Sequence, residues 1–132
     1  LIELGPGRGT LMHDLLRAVS QTPFARQFFS QVELHFVEIS RSLEEKQRET
    51  LSKPLSSSSS KSPLDMIECF WHDSFSTLMK NSNPQATPSL IIAQEFFDAL
   101  PVHQFHYTER GWVERLVDVD QSDQSPYHFR FV

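Results

Sequence analysis

Three alternate glycines in the run Glu3-Leu4-Gly5-Pro6-Gly7-Arg8-Gly9-Thr10 constrain this chain more than any other feature. An apolar stretch, Leu1 to Leu4, precedes them, and Leu11, Met12, Leu15, Leu16 and Val19 follow at helical spacing. The order is therefore strand, glycine turn, helix, the repeating unit of an α/β fold. Glycine takes backbone conformations that other residues avoid and lets the main chain pass close to a ligand. The helix that follows aims its first amides and a partial positive charge at the same place, so a group rich in acceptors fits there.

The spacing narrows the choice of nucleotide. A dinucleotide fingerprint places glycines at relative positions one, three and six, whereas here the third glycine comes at the fifth position and Thr10 occupies the sixth. That counts against NAD and FAD, and an NAD-dependent oxidoreductase is disfavoured accordingly. A Gly-Lys-Ser/Thr triplet is absent, which counts against an ATP or GTP phosphate loop. Glu3 lies two residues before the first glycine, where it would repel a pyrophosphate but favour the ammonium and sulfonium groups of S-adenosylmethionine. An acid followed by spaced glycines resembles the opening of class I methyltransferases.

The remainder of the chain continues the α/β pattern. A short helix is expected after Thr22-Pro23, with Thr22 as its cap, and a second strand over residues 32 to 39. A capping box, Ser42-x-x-Glu45, opens a helix whose apolar positions are only Leu43 and Leu51, which predicts a mostly exposed surface helix. Residues 52 to 64 hold the serine run Ser56 to Ser60 and read as a mobile surface loop, because such a stretch buries too little apolar area to offset its ordering entropy. Met66 to Trp71 reads as a third strand, His72 to Met79 as a loop and weak helix, and residues 81 to 89 as a proline-containing loop. Leu90 to Ala93 reads as a fourth strand, apolar throughout as in the centre of a parallel sheet. Beyond residue 102 the pattern changes: 103 to 108, 112 to 119 and 127 to 132 alternate like antiparallel strands, the first two joined by a turn at Glu109-Arg110-Gly111. The fold expected is thus Rossmann-like, with a mostly parallel sheet and antiparallel strands toward the C-terminus. Because the chain opens and closes inside apparent strands, it is expected to be an internal fragment, one partial domain over residues 1 to 132.

Composition enters mainly by exclusion. A net charge of −5 without any basic run disfavours nucleic acid as a partner. The longest apolar run, Leu90 to Ala93, is far below the roughly 20 residues of a membrane-spanning helix. The single Cys69 excludes an internal disulfide and a cysteine-based zinc site, no other metal site is expected, and the run Cys69-Phe70-Trp71 reads Cys69 as a buried hydrophobe.

Other candidate site residues follow from position. Glu38, at the C-terminal end of the second strand, is placed to accept hydrogen bonds from ribose hydroxyls. Asp73 stands in the corresponding place after the third strand, either facing an adenine amino group or capping the next helix. After the fourth strand, Glu95 and Asp98 are spaced i, i+3, and a helical turn there would put both on one face, where they could hold a guanidinium and take its proton. Phe96, Phe97 and Leu100 read as core.

Taken together, Glu3 to Leu11 and Glu95-Phe96-Phe97-Asp98-Ala99-Leu100-Pro101-Val102-His103-Gln104-Phe105 closely resemble the MidA-type methyltransferases, a family that includes a mitochondrial complex I assembly factor. Val37-Glu38-Ile39-Ser40, Trp71-His72-Asp73-Ser74 and Gly111-Trp112-x-Glu114 resemble it too, in the same order along the chain. Gln94, where that family usually has Asn, and the serine-rich insertion depart from the pattern. The resemblance implies a class I fold, S-adenosyl-L-methionine as cofactor, an arginine of a respiratory complex I subunit as acceptor, and a mitochondrial matrix location in a eukaryote. Glu3, Gly5, Pro6, Gly7, Gly9, Glu38 and Asp73 would then serve the donor, and Glu95 and Asp98 the acceptor. A non-catalytic complex I assembly scaffold that keeps the fold is the alternative.

Overall fold

A computed structural model describes residues 1–57, 60–81, 88–121 and 128–132. The chain divides into two compact units, residues 1–98 and 99–132.

The first unit is a parallel sheet with helices. Strands β1 (Ile2–Leu4), β2 (Leu34–Val37), β3 (Cys69–His72) and β4 (Ile91–Ile92) are hydrogen-bonded in the order β3-β2-β1-β4, every pair parallel. The helices are α1 (Thr10–Ser20), α2 (Ala25–Phe29), α3 (Arg41–Leu51) and α4 (Phe75–Asn81). The chain winds outward from β1 to β3 and then returns to add β4 on the other side of β1. The strand order thus reverses at β1, and in open α/β sheets ligands bind beyond the carboxyl ends of the strands at such a switch point. The glycine turn leaves the sheet at that position.

One cluster of buried side chains, Met12 and Leu16 of α1, Leu34 and Phe36 of β2, Leu51 of α3, Leu55 and Ile67, packs one group of helices on the sheet. A second, Ile2, Leu4, Val37 and Leu78, joins the sheet to α4. Strand β2 gives Leu34 and Phe36 to the first cluster and Val37 to the second, the period of two that a sheet covered on both faces requires.

Several boundaries differ from those read in the sequence, each for a local reason. Helix α3 starts two residues early, capped by Ser40, whose hydroxyl accepts from the Leu43 amide at 3.4 Å; Ser42 instead bonds the Ser40 hydroxyl at 3.0 Å. Thr22 does not cap α2, because its hydroxyl donates back to the Val19 carbonyl at 2.7 Å and the helix begins only at Ala25. The second strand is confined to residues 34–37 and the third is shifted to 69–72. The fourth has two residues and lies at the edge of the described sheet, leaving Leu90 64% exposed, so the reading of a central strand is corrected.

The serine-rich stretch is anchored on both sides. Leu55 is buried in the main cluster, and Pro63–Asp65 forms a 3₁₀ turn with a capping box in which the Ser62 amide and hydroxyl donate to the Asp65 carboxylate at 2.8 and 2.7 Å. Residues 58–59 of the serine run and 82–87 of the proline-containing loop lie outside the described residues. Cys69 is half-buried, and burial pushes its thiol up to about 11.

The second unit is antiparallel, as expected. Strand β5 (Gln104–Thr108) pairs with β6 (Gly111–Arg115) through the Glu109-Arg110 turn, and β7 (Val117–Val119) pairs with β8 (Phe129–Phe131). The segment 112 to 119 is broken at Leu116, which bonds reciprocally with Val132 at 2.9 Å in both directions. Tyr127 lies outside the described residues.

Candidate functional site

The site is built around the turn between β1 and α1. Gly5, Gly7 and Gly9 have φ of 62°, 55° and 75°, all in the left-handed region that side chains other than hydrogen disfavour. Their surroundings give each a different task. At Gly5 a Cβ would come within 2.7 Å of the Phe96 ring, so hydrogen is needed for Phe96 to lie on the turn. At Gly9 a Cβ would meet the backbone of Gln47 at 3.3 Å, so this glycine lets α3 approach the start of α1. At Gly7 nothing stands within 4 Å, and that position faces open space. Of the three glycines, Gly7 alone has the open approach the sequence reading assigned to all of them. Pro6 accepts at its carbonyl from the Gly9 amide at 2.8 Å and closes the turn. Gly9 is the N-cap of α1 and no side chain caps that helix.

Glu3 lies in the middle strand, in register with Phe36 of β2 and Ile92 of β4. It is 3% exposed, and its Oε2 has no hydrogen-bond partner among the described residues. Burial raises its pKa from 4.5 to about 7, because charge is disfavoured without water or a counter-charge. A buried carboxyl oxygen with nothing to bond is uncommon and calls for a partner.

Glu38 follows β2, its amide held by the His72 carbonyl at 2.9 Å. One carboxylate oxygen accepts from the Ser40 amide at 2.9 Å and the other from the side-chain amide of Gln47 at 3.2 Å. Glu38, Ile39, Arg41, Glu44, Glu45, Trp71, His72 and Asp73 line a cleft of about 480 Å³ at the carboxyl ends of β2 and β3. Four of those eight residues are acidic, which suits a ligand presenting hydroxyl, amino or cationic groups. Asp73 is exposed and accepts from the Thr77 hydroxyl at 2.7 Å, a bond that lowers its pKa. The cap of α4 is Ser74, whose hydroxyl accepts from the Thr77 amide at 3.1 Å, so the capping alternative for Asp73 is corrected.

Gln47 was not foreseen. It is fully buried in α3, the helix expected to be mostly exposed, and it bonds the Gly7 carbonyl, Glu38 and the Trp71 indole. A signal was present: residues 43, 47 and 51 form one helical stripe, and a polar residue between two leucines on such a stripe is a buried polar candidate. Arg48, beside it, stacks over Trp71 at 3.6 Å from the ring centre and pairs with Glu44.

The acceptor-side prediction fares differently. Glu95 has φ 49°, and the 3₁₀ turn that follows covers only Phe97–Ala99, so Glu95 and Asp98 do not share the helical face that their spacing suggested. Both are exposed. A left-handed backbone at a non-glycine residue costs on the order of 1 kcal/mol or more, and such strain gathers at functional sites. Phe96 packs on the second cluster, but Phe97 is 69% exposed and Leu100 is exposed as well, so only the first of these three is core.

The residues fit S-adenosylmethionine on the protein's own geometry: an unpartnered buried carboxyl in the strand before the turn, open space at Gly7, and an acid-lined cleft beyond β2 and β3. Among the described residues no group of three or more His, Cys, Asp or Glu could hold a metal, and no helix is long and apolar enough to cross a membrane. A parallel sheet reversing at β1, with this turn at the reversal, defines a Rossmann-like domain of the class I methyltransferase kind.

The whole chain, residues 1–132, matches the family described as "Putative S-adenosyl-L-methionine-dependent methyltransferase", and it belongs to that family. It is similar to the protein arginine methyltransferase NDUFAF7, mitochondrial, of Danio rerio, 35% identical over all of this chain and 31% of the relative. The Homo sapiens protein of the same name is 38% identical over 91% of this chain and 28% of its own length. The Drosophila melanogaster homolog is 34% identical over all of the chain and 30% of the relative. The chain therefore spans less than a third of the length of these relatives.

Proposed function

We propose that the protein carrying this chain transfers a methyl group from S-adenosyl-L-methionine to an arginine of another protein in the mitochondrion, a respiratory complex I subunit being the acceptor during complex I assembly. The observation that carries the donor half is the buried Glu3 oxygen that lacks a partner in the strand leading into the glycine turn. The acceptor half is supported by the relatives, which are named protein arginine methyltransferases and mitochondrial.

When bound, the donor supplies a methyl group activated by its sulfonium. Glu3 offsets the donor's positive charge, Gly7 and the carbonyl of Pro6 let its methionine part lie against the main chain, and Glu38 and Asp73 hold its adenosine part. Glu95 and Asp98 orient the acceptor guanidinium and one of them takes the proton it must release as the new nitrogen–carbon bond forms. Alignment of nucleophile, methyl and sulfur supplies most of the rate, an effect worth up to roughly 7 to 11 kcal/mol.

The test is to incubate the full-length protein with isotopically labelled donor and a mitochondrial extract and to map the label by mass spectrometry. Label on an arginine of a complex I subunit is expected. Label on lysine or on a small molecule overturns the acceptor assignment.

A further inference from the structure

We infer that Gln47 is a positioning residue for the methyl donor, a strut that holds the glycine turn and Glu38 in one frame. This rests on the donor reading proposed above. The side-chain amide nitrogen of Gln47 donates to the Gly7 carbonyl at 2.8 Å and to the Glu38 carboxylate at 3.2 Å, while its oxygen accepts from the Trp71 indole at 2.9 Å. Both amide hydrogens and the amide oxygen are engaged, and the side chain is wholly buried.

The polarity of the arrangement is specific. Gly7 and Glu38 present only acceptors, and Trp71 only a donor, so one orientation of a carboxamide satisfies all three. A hydrocarbon of the same volume would fill the space but leave a carbonyl, a carboxylate and an indole N–H without partners. A carboxylate would face two acceptors with no hydrogen to give. The three partners also belong to different parts of the site: Gly7 is the glycine facing open space, Glu38 and Trp71 line the acid-rich cleft. Gly9 completes the fit, since a Cβ there would meet Gln47 at 3.3 Å, and the turn can therefore sit directly on this residue. A buried amide that only supported the fold would have no reason to join the two halves of a ligand site. Joining them fixes the distance over which a donor must stretch from turn to cleft.

Donor binding by the full-length wild-type protein, Gln47→Glu and Gln47→Met is to be measured by titration calorimetry with S-adenosyl-L-methionine from pH 5 to 8, with thermal unfolding recorded alongside. At pH 8 both variants are expected to bind on the order of tenfold more weakly than wild type, or worse. On lowering the pH the ratio of Gln47→Glu to wild-type affinity is expected to recover, because a protonated carboxyl regains one donor, whereas the Gln47→Met ratio stays flat. A folded variant that binds as tightly as wild type, or a Gln47→Glu ratio indifferent to pH, overturns the inference alone. Wild-type protein that fails to bind overturns the donor reading and this inference with it. Should both variants fail to fold, the Gln47 side-chain amide resonance of labelled wild-type protein decides: it is expected to shift on saturation with donor, and a fixed resonance overturns the proposal.

Discussion

Glu3 lies across the β1–β2 ladder from Phe36, a fully buried ring, so a carboxyl and a phenyl side chain share one face of the sheet. Among the described residues its Oε2 has no hydrogen-bond partner, and its pKa stands at about 7 instead of 4.5. Between those values the folded state holds a proton that the unfolded chain has released, so the contribution of Glu3 to stability declines as pH rises from about 4.5 to 7. Glu3→Gln is expected to stabilise the protein above pH 7 by up to about 3 kcal/mol, read by urea unfolding at pH 5 and pH 8. Equal stability of the two proteins at pH 8 would count against the buried, uncompensated charge.

The same group gives donor binding a pH dependence. A cationic ligand favours ionised Glu3, so affinity for S-adenosyl-L-methionine is expected to rise between about pH 5 and 7 and then level off. Proton release on binding, measured by calorimetry in buffers of different ionisation enthalpy, should disappear in Glu3→Gln. Release that persists in that variant assigns the proton elsewhere.

Gly7 and Gly9 are expected to fail in different ways. Gly7→Val loses donor binding, and since no atom stands within 4 Å the cost in folding is limited to backbone strain of about 1 to 2 kcal/mol. Gly9→Val loses stability as well as donor binding, because its side chain is driven into the Gln47 backbone at 3.3 Å. Melting temperature and donor affinity measured together distinguish the two, and matching losses in both variants would contradict the separate tasks.

His72, which lines the cleft, is hydrogen-bonded to His35 at 3.0 Å, with Glu33 at the far side of His35 at 3.4 Å. Burial first, then the neighbouring His35, lowers the His72 pKa below its usual 6.5. The unfolded chain therefore binds more protons as pH falls through that region, and the contribution of His72 to stability is expected to drop below about pH 6.5. His72→Phe should make this drop shallower in denaturant titrations at pH 5 and 7. An unchanged slope would place the acid sensitivity in other groups.

Glu95→Gln and Asp98→Asn are expected to lower kcat by about 100-fold or more while leaving donor affinity within a factor of two or so, as the proposed roles of general base and guide for the acceptor require. Weakened donor binding with unchanged turnover of bound donor would move both residues to the donor side.

The glycine turn was legible because its signal is local: Glu3, Gly5, Pro6, Gly7 and Gly9 stand within seven residues, and the strand and helix on either side declare themselves by periodicity. The place of Glu38 at the end of β2 was legible because the strand announces itself by alternation, and its donor-binding role remains a proposal. Gln47 was not, since its value comes from Gly7 and Trp71, 40 and 24 residues away in sequence, and only packing brings these together. The helical reading of Glu95 and Asp98 failed for the opposite reason: spacing described a helix, but the backbone leaves β4 through a left-handed residue that no periodicity reveals. Likewise the two-residue β4 looked central because it is apolar, and an apolar tetrad does not say which neighbours it has.

The contact between Phe96 and Gly5 ties the segment after β4 to the glycine turn after β1, with no room between ring and main chain for even one methyl group. Residues 5 and 96 are consequently not free to vary one at a time. Enlarging the first demands a smaller second, and homologous chains should change the two in concert or leave both alone.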